Sequence, residues 1–262
     1  MVTGKQLKSI MPRLSDKRNG ELLPFLTTAM TEFAINTPAR AAAFLAQLAH
    51  ESGQFRFMEE IWGPTDAQRR YEPVTKLSAA LGNTDTGDGK RFKGRGPIQL
   101  TGRANYQRFG NLLNVDLLAD PARAASPEVA FRVAGLFWSK KGLNELADVA
   151  TTDAFTAITK RINGGTNGLA DRQAFYATAR TVLGVADAPL TRGGAPIPAD
   201  DPAFDRGAEA IRAYRRQSRR RKATKAAPKR KTSPRRKATA MSGRKAARKR
   251  TRKAVRSATK KR

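Results

Sequence analysis

A cation-dense, acid-free C-terminal stretch limits how much of this chain can fold. Residues 212–262 hold 25 Lys and Arg, no Asp or Glu, and a single aromatic, Tyr214. Without apolar periodicity, such a stretch buries too little surface to offset its conformational entropy, so a disordered basic tail is expected there. The other 26 Lys and Arg, and all 22 acids, lie in residues 1–211. That part therefore carries only +4 of the formal +29. Residues 186–211, opening ADAPLTRGGAPIPADDPAFD, read as a Pro/Gly/Asp-rich linker. The foldable part is then one domain, residues 1–185, long enough to enclose a core.

The side chains present restrict the chemistry. There is no Cys and one His, His50. Disulfide scaffolds, thiol nucleophiles and Cys/His zinc sites are excluded. A Ser-His-Asp arrangement would have to use His50. Carboxylates, hydroxyls, amides, Arg and Lys remain, and no metal or cofactor is expected. The opening MVTGKQLKSIMPRL has no apolar run of the secretory kind, and no stretch reaches the length of a membrane span. The expectation is synthesis in a cytoplasm, so work outside it needs another route out.

Helix signals dominate residues 1–185. Thr37 is a candidate N-cap with Pro38 at the first helical position. Ala41, Phe44, Leu45, Leu48 and Ala49 follow at helical spacing, and Gly53 is a stop. Ser126-Pro127-Glu128 starts a second helix that ends near Gly142. A third is expected from about Thr152 to Arg161, and a fourth from Leu169 to Leu183 before Gly184. Residues 63–96 are polar and Gly-rich and read as loops with a small hairpin. The class is mostly helical α+β.

Chemistry concentrates at the end of the first of these helices, in His50-Glu51-Ser52-Gly53 and then Glu59-Glu60. At a helix C-terminus the dipole disfavours negative charge, which suits a carboxyl that must start protonated as a general acid. A second carboxylate nearby would complete the minimal equipment for glycoside hydrolysis. The alternative is that Glu51, Glu59 and Glu60 are solvated surface acids. His50 is assigned packing or hydrogen bonding that orients the Glu51 region. The glycines of residues 82–96 fit neither a calcium loop nor a phosphate loop: Asp88 stands where the first needs Gly, and Arg95-Gly96 where the second needs Lys-Ser/Thr. Gln99, Thr101 and Asn105 are candidates to line a polar groove, although Thr101 also suits capping of the next helix. Asn163 falls in what reads as a turn between helices. Asp171 and Arg172 alone would pass as a surface ion pair.

Taken together, four blocks resemble glycoside hydrolase family 19, the chitinase-like branch of the lysozyme-like superfamily, and especially its phage and bacterial members. They are AHESGQF (49–55), GDGKRFKGRGPIQLTGRANY (87–106), ITKRINGG (158–165) and NGLADRQAFY (167–176). The resemblance covers roughly residues 20–185. It implies a bilobal, largely helical fold with a central sugar-binding cleft, and an inverting mechanism. Glu51 matches the general acid. The second carboxylate falls at Glu60, with Glu59 beside it as the other candidate. Thr101 matches the hydroxyl that helps hold the water. Gln99 and Asn105 match groove residues, and Asn163 and Arg172 match polar residues on the far side of the cleft. Arg172 beside one carboxylate would keep it ionised.

The family cleaves β-1,4 bonds next to N-acetylglucosamine, which peptidoglycan and chitin both offer. The absence of a leader, of Cys and of an aromatic-rich chitin-binding module favours peptidoglycan, cleaved by a monomer after holin-type or secretion-system release. The tail is expected to bind an anionic polymer: lipopolysaccharide, teichoic acid, anionic lipid or nucleic acid. A rival expectation makes the chain a nucleic-acid-binding protein whose tail is the functional part.

Overall fold

The structure is a computed structural model and describes residues 1–186. Nearly all of the expected linker and the whole of the expected tail lie outside the described residues. Eleven α-helices run in chain order within them. They are α1 (Gly4–Ile10), α2 (Asp16–Glu32), α3 (Pro38–Ser52), α4 (Asp66–Arg69), α5 (Lys76–Leu81), α6 (Asp88–Arg91), α7 (Arg103–Leu113), α8 (Pro127–Lys140), α9 (Leu143–Asp148), α10 (Thr152–Asn163) and α11 (Leu169–Leu183). A 3-10 turn, Pro121–Ala125, leads into α8.

The cap residues act as the sequence predicts. The Thr37 hydroxyl accepts from the Arg40 N–H, Pro38 opens α3, and Gly53 closes it in the left-handed conformation at φ 60°. α11 spans the predicted residues. α10 runs two residues past the expected Arg161, so Asn163 is its last residue and no longer part of the turn. The β component of the expected α+β class reduces, among the described residues, to two isolated bridges, Glu59 with Arg95 and Arg95 with Leu100. Residues 63–96 are not plain loop: they contain the short helices α4, α5 and α6. Thr65 and Thr75 cap the first two with reciprocal side-chain bonds, a signal carried by single Thr residues rather than by apolar periodicity.

Helices α3 and α8 form the centre. From Ala41 to Ala49 every residue of α3 is buried, as is Val129–Trp138 of α8 apart from Arg132. α11 packs along α3, and α2 along α8. Trp138 meets Phe44 edge to face at 5.2 Å, and its Nε1–H donates to Asn144 at 2.9 Å. A separate, smaller cluster of Tyr71, Leu77 and Leu81, with Trp62 against it, underlies the 62–81 region.

The segment between these clusters is held by charge. Arg103, at the start of α7, forks onto Asp88 with two bonds of 2.8 Å, and its Nη2 reaches Asp85 at 2.5 Å. The Thr84 and Asp85 N–H groups also donate to Asp88. Gly82, at φ 64°, lets the chain pass Ala104, whose Cβ would stand 2.6 Å from any added side chain. Burial pushes the Asp88 carboxyl up, but the bonds from Arg103, Asp85 and Thr84 outweigh it and hold the group below the usual carboxylate range. Its stabilising contribution is therefore complete above the unfolded carboxyl value and is lost as pH falls through the lower folded value. Asp88→Ala should cost about 3 kcal/mol at neutral pH, near the lower end for removing one partner of a buried pair. The variant should also lose part of the parent's destabilisation below about pH 4, measured by urea unfolding across pH.

Candidate active site

Glu51 lies in the last turn of α3, where the helix dipole disfavours its charge. A cation opposes that effect. The Arg172 Nη2 of α11 donates to Glu51 Oε1 at 2.6 Å. Arg172 is itself only 3% exposed. Its Nη1 donates to Gln47 Oε1, and its Nε to the Asn167 carbonyl at 3.4 Å. Gln47 in turn donates to the Thr159 hydroxyl of α10 at 2.8 Å. The guanidinium is thus fixed by acceptors from both sides, and a desolvated charge is matched by one carboxylate.

The neighbouring pair runs the opposite way. His50 Nδ1 lies 2.5 Å from Asp171 Oδ2. Asp171 and Arg172 are therefore not a surface pair with each other. Adjacent residues on a helix do not face one another, and each reaches separately across to α3. His50 and Glu51 thus each meet one residue of the Asp171-Arg172 pair. Gly168, at φ 69°, makes room for the His50 ring: an added Cβ there would stand 2.3 Å from Cε1. Asn163 sits beside this clasp. Its Nδ2 donates to the same Asn167 carbonyl at 3.4 Å, and its buried Oδ1 has no hydrogen-bond partner.

The chain leaves α3 through a strained turn. Gly53, Gln54 and Phe55 all have positive φ, at 60°, 63° and 59°. For a residue with a Cβ this conformation costs about 1–2 kcal/mol. Anchors offset it. Phe55 is fully buried against Phe131, the Gln54 side-chain oxygen accepts from the Arg13 N–H at 2.7 Å, and Arg18 Nε donates to the Phe55 carbonyl at 2.8 Å.

Beyond the turn, Glu59 and Glu60 differ. Glu59 Oε1 contacts Arg95 at 3.0 Å and Lys93 at 3.2 Å. Arg95 is buried, and its Nη1 also donates to the Tyr106 hydroxyl at 2.9 Å, while Tyr106 donates to the Lys93 carbonyl at 2.7 Å. Burial pushes the Tyr106 phenol far above its ordinary value, so it stays neutral. Glu59 therefore belongs to a structural ion cluster. Glu60 accepts from the Gly94 N–H at 3.0 Å and from Gln68 at 3.3 Å, both neutral donors.

The same strand-like register positions Gln99, Thr101 and Asn105, the candidate groove residues. Gly96 N–H donates to the Met58 carbonyl, and Arg95 and Leu100 exchange both backbone bonds. Gln99, at φ 59°, turns back so that its amide donates to the Gly96 carbonyl at 2.9 Å. Thr101 does not cap α7; Gly102 is the N-cap, and the Thr101 hydroxyl donates to the Gln99 carbonyl at 2.8 Å. Asn105 Nδ2 donates to the Thr101 carbonyl at 2.8 Å.

The eight residues singled out from sequence thus fall into two sets. His50, Glu51, Asn163 and Arg172 meet where α3 and α11 pack, and Glu60, Gln99, Thr101 and Asn105 share the 58–60 and 94–105 segments. Sequence reasoning missed Gln47, Thr159 and Gln68. Gln47 had a signal: it is the one polar residue in AAAFLAQLA, one turn before Glu51. Among the described residues no group of three His, Asp or Glu side chains is placed to hold a metal.

Residues 24–151 match the glycoside hydrolase family 19 pattern, described as chitinase class I. A glycosyl hydrolase family 19 domain-containing protein of Haemophilus influenzae is 35% identical over 158 residues, 52% of this chain and 76% of that protein. An endochitinase of Arabidopsis thaliana is 43% identical over 126 residues, 47% of this chain. The chain spans only 39% of that plant protein's length. The fold is similar to chitinase C of Streptomyces griseus, at a TM-score of 0.56 and 23% identity over 72% of this chain and 78% of that one. A class IV chitinase of Zea mays gives 0.53 at 23% identity over 72% of this chain and 95% of that one.

The clasp makes a stability prediction. Arg172→Lys keeps a charge for Glu51 but cannot also supply Gln47, since an ammonium lacks the planar fork. It should lower stability by about 1–3 kcal/mol, the cost of a buried acceptor left without a donor. A double-mutant cycle with Gln47→Leu, followed by chemical denaturation, should return a coupling of roughly 1 kcal/mol or more.

Proposed function

The chain belongs to glycoside hydrolase family 19, and from that premise we propose that it hydrolyses β-1,4 bonds within peptidoglycan by an inverting, two-carboxylate mechanism. The observation that carries this reading is the contrast between Glu51 and Glu60. Glu51 protonates the leaving oxygen. Arg172 favours the ionised form of Glu51, so the proton is held at a cost before reaction, and the pairing is recovered as the carboxylate appears, an interaction stronger in the transition state than before it. Glu60 takes the proton of the attacking water, and its bonds from the Gly94 N–H and the Gln68 amide orient the carboxylate. Thr101 helps to hold that water, with Gln99 and Asn105 along the groove and Asn163 on the far side. Glu59, held by Lys93 and Arg95, is assigned to structure instead. Chitin is the alternative substrate, favoured by the endochitinase names of the plant relatives.

Glu51→Gln should lower turnover about 10²–10⁴-fold, the usual worth of general acid catalysis, with the fold retained because the amide oxygen still accepts from Arg172. Glu60→Gln should match it. Glu59→Gln should lose stability more than turnover. Mass spectrometry of digests of purified peptidoglycan and of chitin oligomers identifies the bond, and NMR of the fresh anomer tests inversion. Substantial turnover in folded Glu51→Gln would sink the acid assignment.

For residues 212–262 the proposed role is attachment to an anionic envelope polymer after release from the cytoplasm, by a holin-type or secretion route. Its support is the acid-free run of 25 cations. This binding should weaken steeply with salt. With duplex DNA as a probe, the log–log slope should be about −0.9 for each phosphate neutralised. Replacing the six cations of Lys229–Lys237 by Gln should flatten the slope without changing turnover on soluble fragments. If DNA binds and neither glycan is cleaved, the nucleic-acid-binding alternative prevails.

A further inference from the structure

The strained turn after α3 delivers two side chains whose exposure no packing argument explains. Arg56 is exposed, and Phe57 is 47% exposed. The Phe57 ring lies against Gly53: an added Cβ there would stand 3.1 Å from Cδ2. Gly53 follows Glu51 by two residues, a backbone span of at most about 7 Å. The Phe57 N–H donates to the Ser52 carbonyl at 2.9 Å, which ties the ring to the helix end that carries Glu51. The Arg56 guanidinium sits over that ring, 5.2 Å from its centroid.

Three cations of this region are committed to carboxylates. Lys93 and Arg95 meet Glu59, and Arg172 meets Glu51. Arg56 differs: among the described residues it pairs with no carboxylate, and the Phe57 ring is its partner. The ring contact restrains the guanidinium of an exposed residue, and no carboxylate of the described residues takes up its N–H groups. A fork of this kind suits a carboxylate, which it can bind through two parallel bonds. The uncovered part of Phe57 offers an apolar surface beside it. Chitin carries no carboxylate, whereas peptidoglycan carries one on the lactyl ether of alternate sugars or on the peptide attached there.

We infer that Arg56 and Phe57 form a carboxylate-reading subsite beside Glu51, selective for the acidic sugar of peptidoglycan or its peptide; this rests on the peptidoglycan reading above. The strain in Gln54 and Phe55 then has a use, since it directs the chain so that the pair emerges next to the acid.

Three small probes test this without turnover: N-acetylmuramic acid, its methyl amide, and muramyl dipeptide. Each is titrated into the full-length chain by calorimetry at physiological salt. A carboxylate-bearing probe should bind about fivefold or more tighter than the methyl amide, the scale of one charge-assisted contact. Preference for N-acetylmuramic acid identifies the lactyl group, and preference for the dipeptide alone identifies the peptide. Arg56→Gln should abolish the preference and Phe57→Leu should reduce it. Equal binding of all three probes overturns the inference, as does a preference that survives in Arg56→Gln, which would place it on other cations of the chain. In kinetics, Arg56→Gln should raise KM on peptidoglycan about fivefold while leaving kcat, and KM on chitin oligomers, unchanged. If the unaltered chain cleaves no peptidoglycan, the substrate reading fails, and the titrations still decide the subsite.

Discussion

The buried guanidinium of Arg172 is the constraint around which the α3–α11 contact is organised. A desolvated charge is costly unless paired and fully hydrogen-bonded. Arg172 gains Glu51, Gln47 and the Asn167 carbonyl at once, and Gln47 passes the requirement on to Thr159. Three helices, α3, α10 and α11, thereby acquire a fixed mutual register. Apolar packing alone would tolerate a slide of one helix on another far better than this set of directional bonds does. The group that fixes the register is also the group that touches the candidate acid, so stability and chemistry draw on the same contact.

Local signals were the legible part of the sequence. Thr37-Pro38, Gly53, Ser126-Pro127 and Gly184 mark helix ends because caps depend on one or two residues and on backbone conformation. α2 is not marked out in the same way, since Gly20 and Pro24, both poor helix formers, lie inside it. The helices of residues 63–96 were hidden for another reason: at four to six residues they are too short to show a period. Partnerships were the least legible. Asp171 and Arg172 read as a pair because they adjoin, yet helix geometry sends them to His50 and Glu51. Thr101 read as a cap, but Gly102 takes that position at φ 95°, leaving the hydroxyl to turn back on Gln99. Such choices depend on elements distant in sequence.

Two adjacent acids, Glu59 and Glu60, show how a pleated backbone divides labour. Successive side chains of an extended segment point to opposite sides. Glu59 is therefore directed to Lys93 and Arg95 and completes a cluster closed by the neutral phenol of Tyr106. Glu60 is directed the other way, to the Gly94 N–H and Gln68. Neither sequence position nor residue type distinguishes them. The backbone bonds from Glu60 to Gly94 and from Gly96 to Met58 do, since they fix which carboxylate faces which side.

The charge asymmetry of the whole chain takes on a different meaning beside these arrangements. A body of +4 looks bland next to a segment of +25. Inside the body, however, the cations near the carboxylates are almost all spent on named partners: Arg103 on Asp88, Arg95 and Lys93 on Glu59, Arg172 on Glu51. Each spent cation contributes structure and little long-range field, because its charge is matched within a few ångströms. In the proposed reading, the unmatched charge of residues 212–262 is what would attract an anionic polymer, and discrimination among glycans would fall to cations of the body such as Arg56. For a single arginine to decide substrate choice in a chain of such high net charge, as proposed for Arg56, its neighbouring cations must be matched, and Lys93, Arg95 and Arg172 are.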